Sequence, residues 1–217
     1  MHYQSQSGRG GAALLVSSLL VLLVLILLLA LAPELTGQQG WVLLFLLVLL
    51  AIYVAYSKLT EPVVSIEFSP SGVRYYHRRG SWLLPWFAFA YARVPEIGGE
   101  PLNFIGFKVS NYPAFLAHLP LRLAVRLLTE QRHLLLAAVR QNCPSGTCPS
   151  AMLLETGDFY WQQHRFHGVL AMFAHRMQHL SQLTEFDLFI PLDAIAAPAD
   201  EFCRAVNRAR LQYIPRH

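Results

Sequence analysis

His175 and His179 stand four residues apart, a spacing that brings both imidazoles to one face of a helix, as zinc-binding histidine pairs require. His164 and His167, in the run HRFH, are the nearest candidates for a third ligand. Metal-assisted hydrolysis would also need a placed carboxylate, and the chain contains no H-E-x-x-H. Val169, Phe173, Met177 and Leu180 share a face of the same predicted helix. The two histidines fall opposite this stripe, which predicts solvated rings rather than ligands.

Cys143 and Cys148 enclose Pro-Ser-Gly-Thr in a C-x4-C loop. The chain has 3 cysteines, so no second pair exists to complete a zinc site, and the spacing is not the C-x-x-C of redox enzymes. Two free thiols in a loop of a reducing compartment are expected, with a redox-sensing disulfide as the alternative.

Arginine offers a third chemistry. Arg122, Arg126 and Arg140 fall on one side of a predicted long helix, and Arg78-Arg79 close the basic turn that follows Tyr75-Tyr76-His77. An amphipathic helix with arginines can lie against an anionic leaflet or an acidic partner. The formal net charge is only +4, too weak and scattered for nucleic acid. No G-x-S-x-G, Walker motif or paired carboxylates in a convincing context occur. The residues name no reaction and call for no cofactor.

The elements that must position these residues begin with two uncharged apolar runs, 12–32 and 40–57, joined by PELTGQQ. A bilayer span needs about 20 apolar residues. Runs of this length with so short a link predict a transmembrane helical hairpin. Arg9 precedes it, Lys58 follows it, and the link contains Glu34 but no Lys or Arg. That bias places both termini and the main domain in the cytoplasm. Trp41, Tyr53 and Tyr56 near the ends of the second run suit the headgroup layer. A cleaved signal peptide is the rival reading of the first run, but the run is too long and Pro33 follows the A-x-A at 30–32. Residues 1–11 read as a flexible arm.

Residues 58–217 form one domain by length. They hold all but Arg9 of the 17 Lys/Arg and all but Glu34 of the 13 Asp/Glu. Strands are expected over 63–68 and 73–77, separated by Ser69-Pro70-Ser71-Gly72, and over 81–90, interrupted by Pro85. A fourth strand is expected over 104–109, a helical turn over 113–118, and one long helix from Pro120 through Gln141. Its apolar stripe reads Leu121, Ala124, Leu128, Leu135 and Val139, and Arg126 with Glu130 make an i,i+4 pair. Residues 157–164 read as irregular or extended, 167–182 as a helix, 186–191 as a strand and 198–213 as a last helix, acidic first and basic later. Strands first and helices later give an α+β class.

The segments IEFSPSGVRYYHRRGSW with the following LLPW, FIGFKVSNYPAFL, RLAVRLLTEQRHLLL and FDLFIPLDAI cover most of residues 63–212. They resemble the bacterial DUF2982 family and, more broadly, two-helix membrane proteins with a small PH-like β-domain. That resemblance implies a Gram-negative inner-membrane location and a PH-like fold, and supplies no activity and no catalytic residue. The expectation is therefore a two-pass inner-membrane protein with a cytoplasmic PH-like α+β domain and additional helices. It would bind a protein partner or anionic lipid headgroups of the bilayer through Arg78, Arg79, Arg122, Arg126 and Arg140.

Overall fold

The computed structural model describes residues 2–4, 11–32, 34, 37–59, 64–142 and 156–213. The chain divides into two units, Ser5–Val63 and Met1–Gln4 with Val64–His217. In the first, the apolar runs form α1 (Gly11–Leu31) and α2 (Gln38–Leu59), close to the expected bounds. Ala12–Leu31 and Gln39–Lys58, 20 residues each with mean hydropathy 3.3 and 2.3, are long and apolar enough to cross a membrane. The two helices pack through Leu25, Trp41 and Val48. Trp41 is thus turned into the helix pair, whereas Tyr53 and Tyr56 are exposed. Ser18, buried in this unit, donates its hydroxyl to the Leu14 carbonyl at 2.6 Å. That bond satisfies a polar group inside an apolar run. Leu20, Leu23, Ile26, Leu43, Leu46 and Leu47 are all more than half exposed. So much apolar surface on one helix pair demands a covering medium.

In the second unit, β1 (His2–Gln4), β2 (Val64–Ser69), β3 (Gly72–His77) and β4 (Gly80–Pro85) form one antiparallel sheet in chain order. Residues 2–4, read from sequence as part of an arm, pair instead with β2, Gln4 opposite Val64. The Tyr3 ring packs on Phe68 and Phe202 at 5.5 and 4.9 Å. An aromatic anchor of this kind is what holds so short a strand in place.

The β2–β3 turn depends on Gly72. Its φ is +154°, and a Cβ there would lie 2.2 Å from the Leu84 carbonyl oxygen on β4. Gly72→Ala is expected to cost on the order of 3 kcal/mol, read as a drop in the thermal unfolding midpoint of the detergent-solubilised chain.

The strand expected over 81–90 is in fact two. β4 ends at Pro85, a 3-10 turn covers Trp86–Ala88, and β5 (Phe89–Arg93) joins a different sheet. The Trp86 indole N–H donates to the Ser69 carbonyl at 2.8 Å and fixes this corner. After the small hairpin of β6 (Glu96–Ile97) and β7 (Glu100–Pro101), β8 (Phe104–Val109) pairs with β5.

Three helices follow: α3 (Tyr112–Leu116), α4 (Leu121–Glu130) and α5 (Arg132–Asn142). The expected single long helix is broken at Gln131, which is buried and donates its side-chain amide to the Phe189 carbonyl at 3.1 Å. The buried stripe also differs from the expected one. Leu123, Ala124, Leu127, Leu134, Leu135, Ala138 and Val139 face inward, and Leu121 is 57% exposed.

Residues 157–164 enter a hairpin of β9 (Phe159–Trp161) and β10 (His164–Phe166). Helix α6 (Gly168–Thr184), strand β11 (Leu188–Pro191) and helix α7 (Ala199–Tyr213) complete the unit. The second sheet has the order β11-β8-β5. Its open β5 edge is closed by Asn207 of α7, whose amide accepts from the Ala92 N–H at 2.8 Å and donates to the Ala92 carbonyl at 2.9 Å. The side chain thereby stands in for a missing strand. Trp82, Phe89, Phe107, Phe115, Phe173 and Phe202 fill the shared core between sheets and helices.

Candidate functional site

Two of the basic segments singled out from sequence, distant in the chain, meet in the fold. The β3–β4 turn carries Arg78 and Arg79, both exposed. It abuts the start of α4: a Cβ on Gly80 would lie 3.8 Å from Pro120 and 3.9 Å from Leu123. Helix α4 follows Pro120, which caps its start in an extended conformation, and buries Leu123, Ala124 and Leu127. Its outer side therefore presents Arg122 and Arg126, together with Leu121 and Val125, which are 57% and 50% exposed.

His77 joins the two segments. Its Nε2 lies 3.4 Å from Glu130, and its Nδ1 accepts from the Arg79 backbone N–H at 3.1 Å. Glu130 in turn holds the Arg126 Nε at 2.7 Å, the i,i+4 pair read from the sequence. Burial, with the nearby charges of Arg126 and Arg79, lowers the His77 pKa below 6.5, and Glu130 only offsets this in part. In the window below pH 6.5 the unfolded chain thus binds more protons than the folded one, and stability falls as the pH drops. The denaturation midpoint is expected to decrease from about pH 7.5 to about pH 5, and less steeply in His77→Gln.

Arg140 lies exposed on α5, beyond the break at Gln131.

The histidines are dispersed. His167 caps the start of α6 and sits 2.7 Å from Asp158, which also holds Arg165 at 2.6 Å. The Arg165 and His167 bonds lower the Asp158 pKa. His164 is exposed and stacks near Phe166. His175 and His179 were expected to be solvated, yet both are half-buried, and His175 meets the Phe159 ring edge-on at 5.0 Å. The β9–β10 hairpin, over residues read from sequence as irregular or extended, supplies that ring. Among the described residues no group of three or more His, Cys, Asp or Glu is placed to hold a metal. Cys143 and Cys148 lie outside the described residues. Cys203 is buried on α7, and burial pushes its thiol up to about 11, which leaves it protonated and unreactive.

One cluster escaped the sequence reading. Asp187, 2% exposed, accepts the Val109 N–H at 2.7 Å and the Tyr112 hydroxyl, and its carboxylate lies 3.4 Å from Lys108. Lys108 also bonds Ser181 on α6. Burial and the neighbouring carboxylate raise the Tyr112 pKa far beyond the phenol range, so the hydroxyl is a fixed donor. Tyr112 stacks on Trp161 at 4.3 Å. The network ties β8, α3, α6 and the entry to β11 together, and it serves as a structural clamp. A lone Asp within the apolar run FDLFIP was the available signal.

Among known protein families, the model of DUF2982, a protein family of unknown function, matches residues 66–212. No curated protein and no solved structure matches.

Proposed function

We propose that this chain, which belongs to the DUF2982 family, is a membrane-anchored interaction module whose basic face grips an anionic lipid surface. The observation that carries the reading is the meeting of the Arg78-Arg79 turn with the Arg122/Arg126 side of α4, where Leu121 and Val125 are exposed among the guanidiniums. Cations beside exposed aliphatic side chains match the boundary between phosphate headgroups and acyl chains. A protein partner would be expected to bury a larger aromatic or apolar centre.

The anchor in this reading is the α1–α2 hairpin, inserted as two spans of a bacterial inner membrane with the domain on the cytoplasmic side. The pairing of β1 with β2 supports an even number of crossings, because residues on either side of the hairpin are hydrogen-bonded neighbours. The Lys/Arg bias supports the cytoplasmic side. We read the four-stranded and three-stranded sheets, closed by α7, as a PH-like arrangement. Such a scaffold commonly serves recognition.

Hydrogen exchange of the full-length protein in nanodiscs tests the proposal. Amides of α4 and the β3–β4 turn are expected to exchange more slowly in phosphatidylglycerol than in phosphatidylcholine, with the difference removed by high salt. Equal exchange in the two lipids would refute the lipid reading.

A further inference from the structure

Arg176 lies mid-helix on α6 and is 7% exposed. One of its N–H groups reaches the Leu128 carbonyl of α4 at 3.5 Å, the long limit of a hydrogen bond. Its Nε is shielded from solvent and has no hydrogen-bond partner among the described residues. No carboxylate among the described residues forms an ion pair with it; the charge that acts on it is a second guanidinium, Arg132, exposed at the start of α5.

Burying a cation without a counter-charge costs several kcal/mol, and a guanidinium cannot shed its proton near neutral pH. The α4 carbonyl end supplies part of the missing negative charge, but the bond is long and Arg132 opposes it. A buried guanidinium with an unused donor, in the positive field of Arg132, favours an anion at that donor. A tetrahedral oxyanion matches this set, since it offers acceptors to several planar donors and can carry two charges.

We propose that Arg176 forms an anion site at the junction of α4, α5 and α6 that takes a phosphate group. The site is independent of the basic face on the outer side of α4 and uses none of its arginines.

Thermal unfolding of the full-length protein in neutral detergent tests this, with inorganic phosphate titrated against chloride at matched ionic strength. Phosphate is expected to raise Tm saturably. Arg132→Gln should need on the order of tenfold more phosphate for the same shift. Arg176→Met, which keeps the bulk and removes the charge, should lose the response and unfold no earlier than wild type in chloride. Should Arg176→Met fail to fold, Arg176→Lys serves, since it keeps the charge, loses the planar fork and is expected to weaken the response at least about tenfold.

A parallel titration with short-chain phosphatidic acid distinguishes the sources of the phosphate. A response to the lipid alone assigns the site to a headgroup, and a response to both assigns it to the free ion. A wild-type Tm indifferent to both, or an Arg176→Met protein that responds like wild type, would overturn the proposal.

Discussion

Asp187→Ala is expected to lower the stability of the folded domain by about 3 kcal/mol, which for a unit of this size moves Tm by roughly 6–12 °C. The substitution removes the acceptor of the Val109 N–H and the Tyr112 hydroxyl and takes the counter-charge from Lys108. Burying unpaired donors costs more than the intact bonds contribute. Lys108 is 32% exposed and can turn to water, which keeps the figure at the lower end of the range for a broken buried pair. Asp187→Asn preserves one acceptor and should lose about half as much. Tyr112→Phe keeps the Trp161 stack and should lose only about 1 kcal/mol. The exposed Asp193 is the control, and its replacement by Ala should leave Tm unchanged. Thermal denaturation of the four variants in the same detergent checks the series.

The combined change of Arg78, Arg79, Arg122 and Arg126 to Gln is expected to shift the lipid-docking equilibrium of the domain by on the order of a hundredfold. Each surface cation near an anionic leaflet contributes about 1 kcal/mol. The sum is reduced because Glu130 already neutralises part of Arg126. That ion pair gives a test of opposite sign. Glu130→Gln frees Arg126 and should strengthen docking on phosphatidylglycerol severalfold, while folding is little affected because the pair is half-exposed. Arg140→Gln, on the separate α5, should leave docking within about twofold. Fractional protection of α4 amides in nanodiscs of graded phosphatidylglycerol content provides the measurement. Loss of docking in Arg140→Gln equal to that of the fourfold variant would mean that the cations act by net charge alone and not through the face described.

Much of the fold was legible because local chemistry forced it. Pro70 and Gly72 admit few turns, and Gly72 is further required by the Leu84 carbonyl. The last helix begins with Asp200 and Glu201 and ends with Arg210, and it forms almost where its charges indicate. The lengths of α1 and α2 follow from apolar runs that no other element could hold.

What was missed depends on distant partners. Gln131 is a good helix former, and nothing local marks it as a break; its reason is the Phe189 carbonyl, 58 residues along the chain. The inward stripe of α4 was assigned to Leu121 instead of Leu123 because a long leucine-rich run offers several registers at helical spacing. The strand over 81–90 was read as one because residues on both sides of Pro85 have strand character. Only the packing of two sheets separates them.

The candidate face was legible in parts. Each arginine was read from the sequence, but the union of the β3–β4 turn with α4 is a tertiary event, and Arg140 stands on the separate α5. Exposure of Leu121 and Val125, on which the proposed lipid reading draws, required the corrected register.

In the proposed arrangement α1 and α2 cross the bilayer twice and leave the domain on the cytoplasmic side. Paired fusions after His217 test this most directly, one to a fluorescent protein that matures only inside the cell and one to a phosphatase active only outside. The prediction is a fluorescent, phosphatase-negative cell whose fusion protein stays with the membrane in alkaline carbonate. An active phosphatase, or a fusion that washes free, would contradict it.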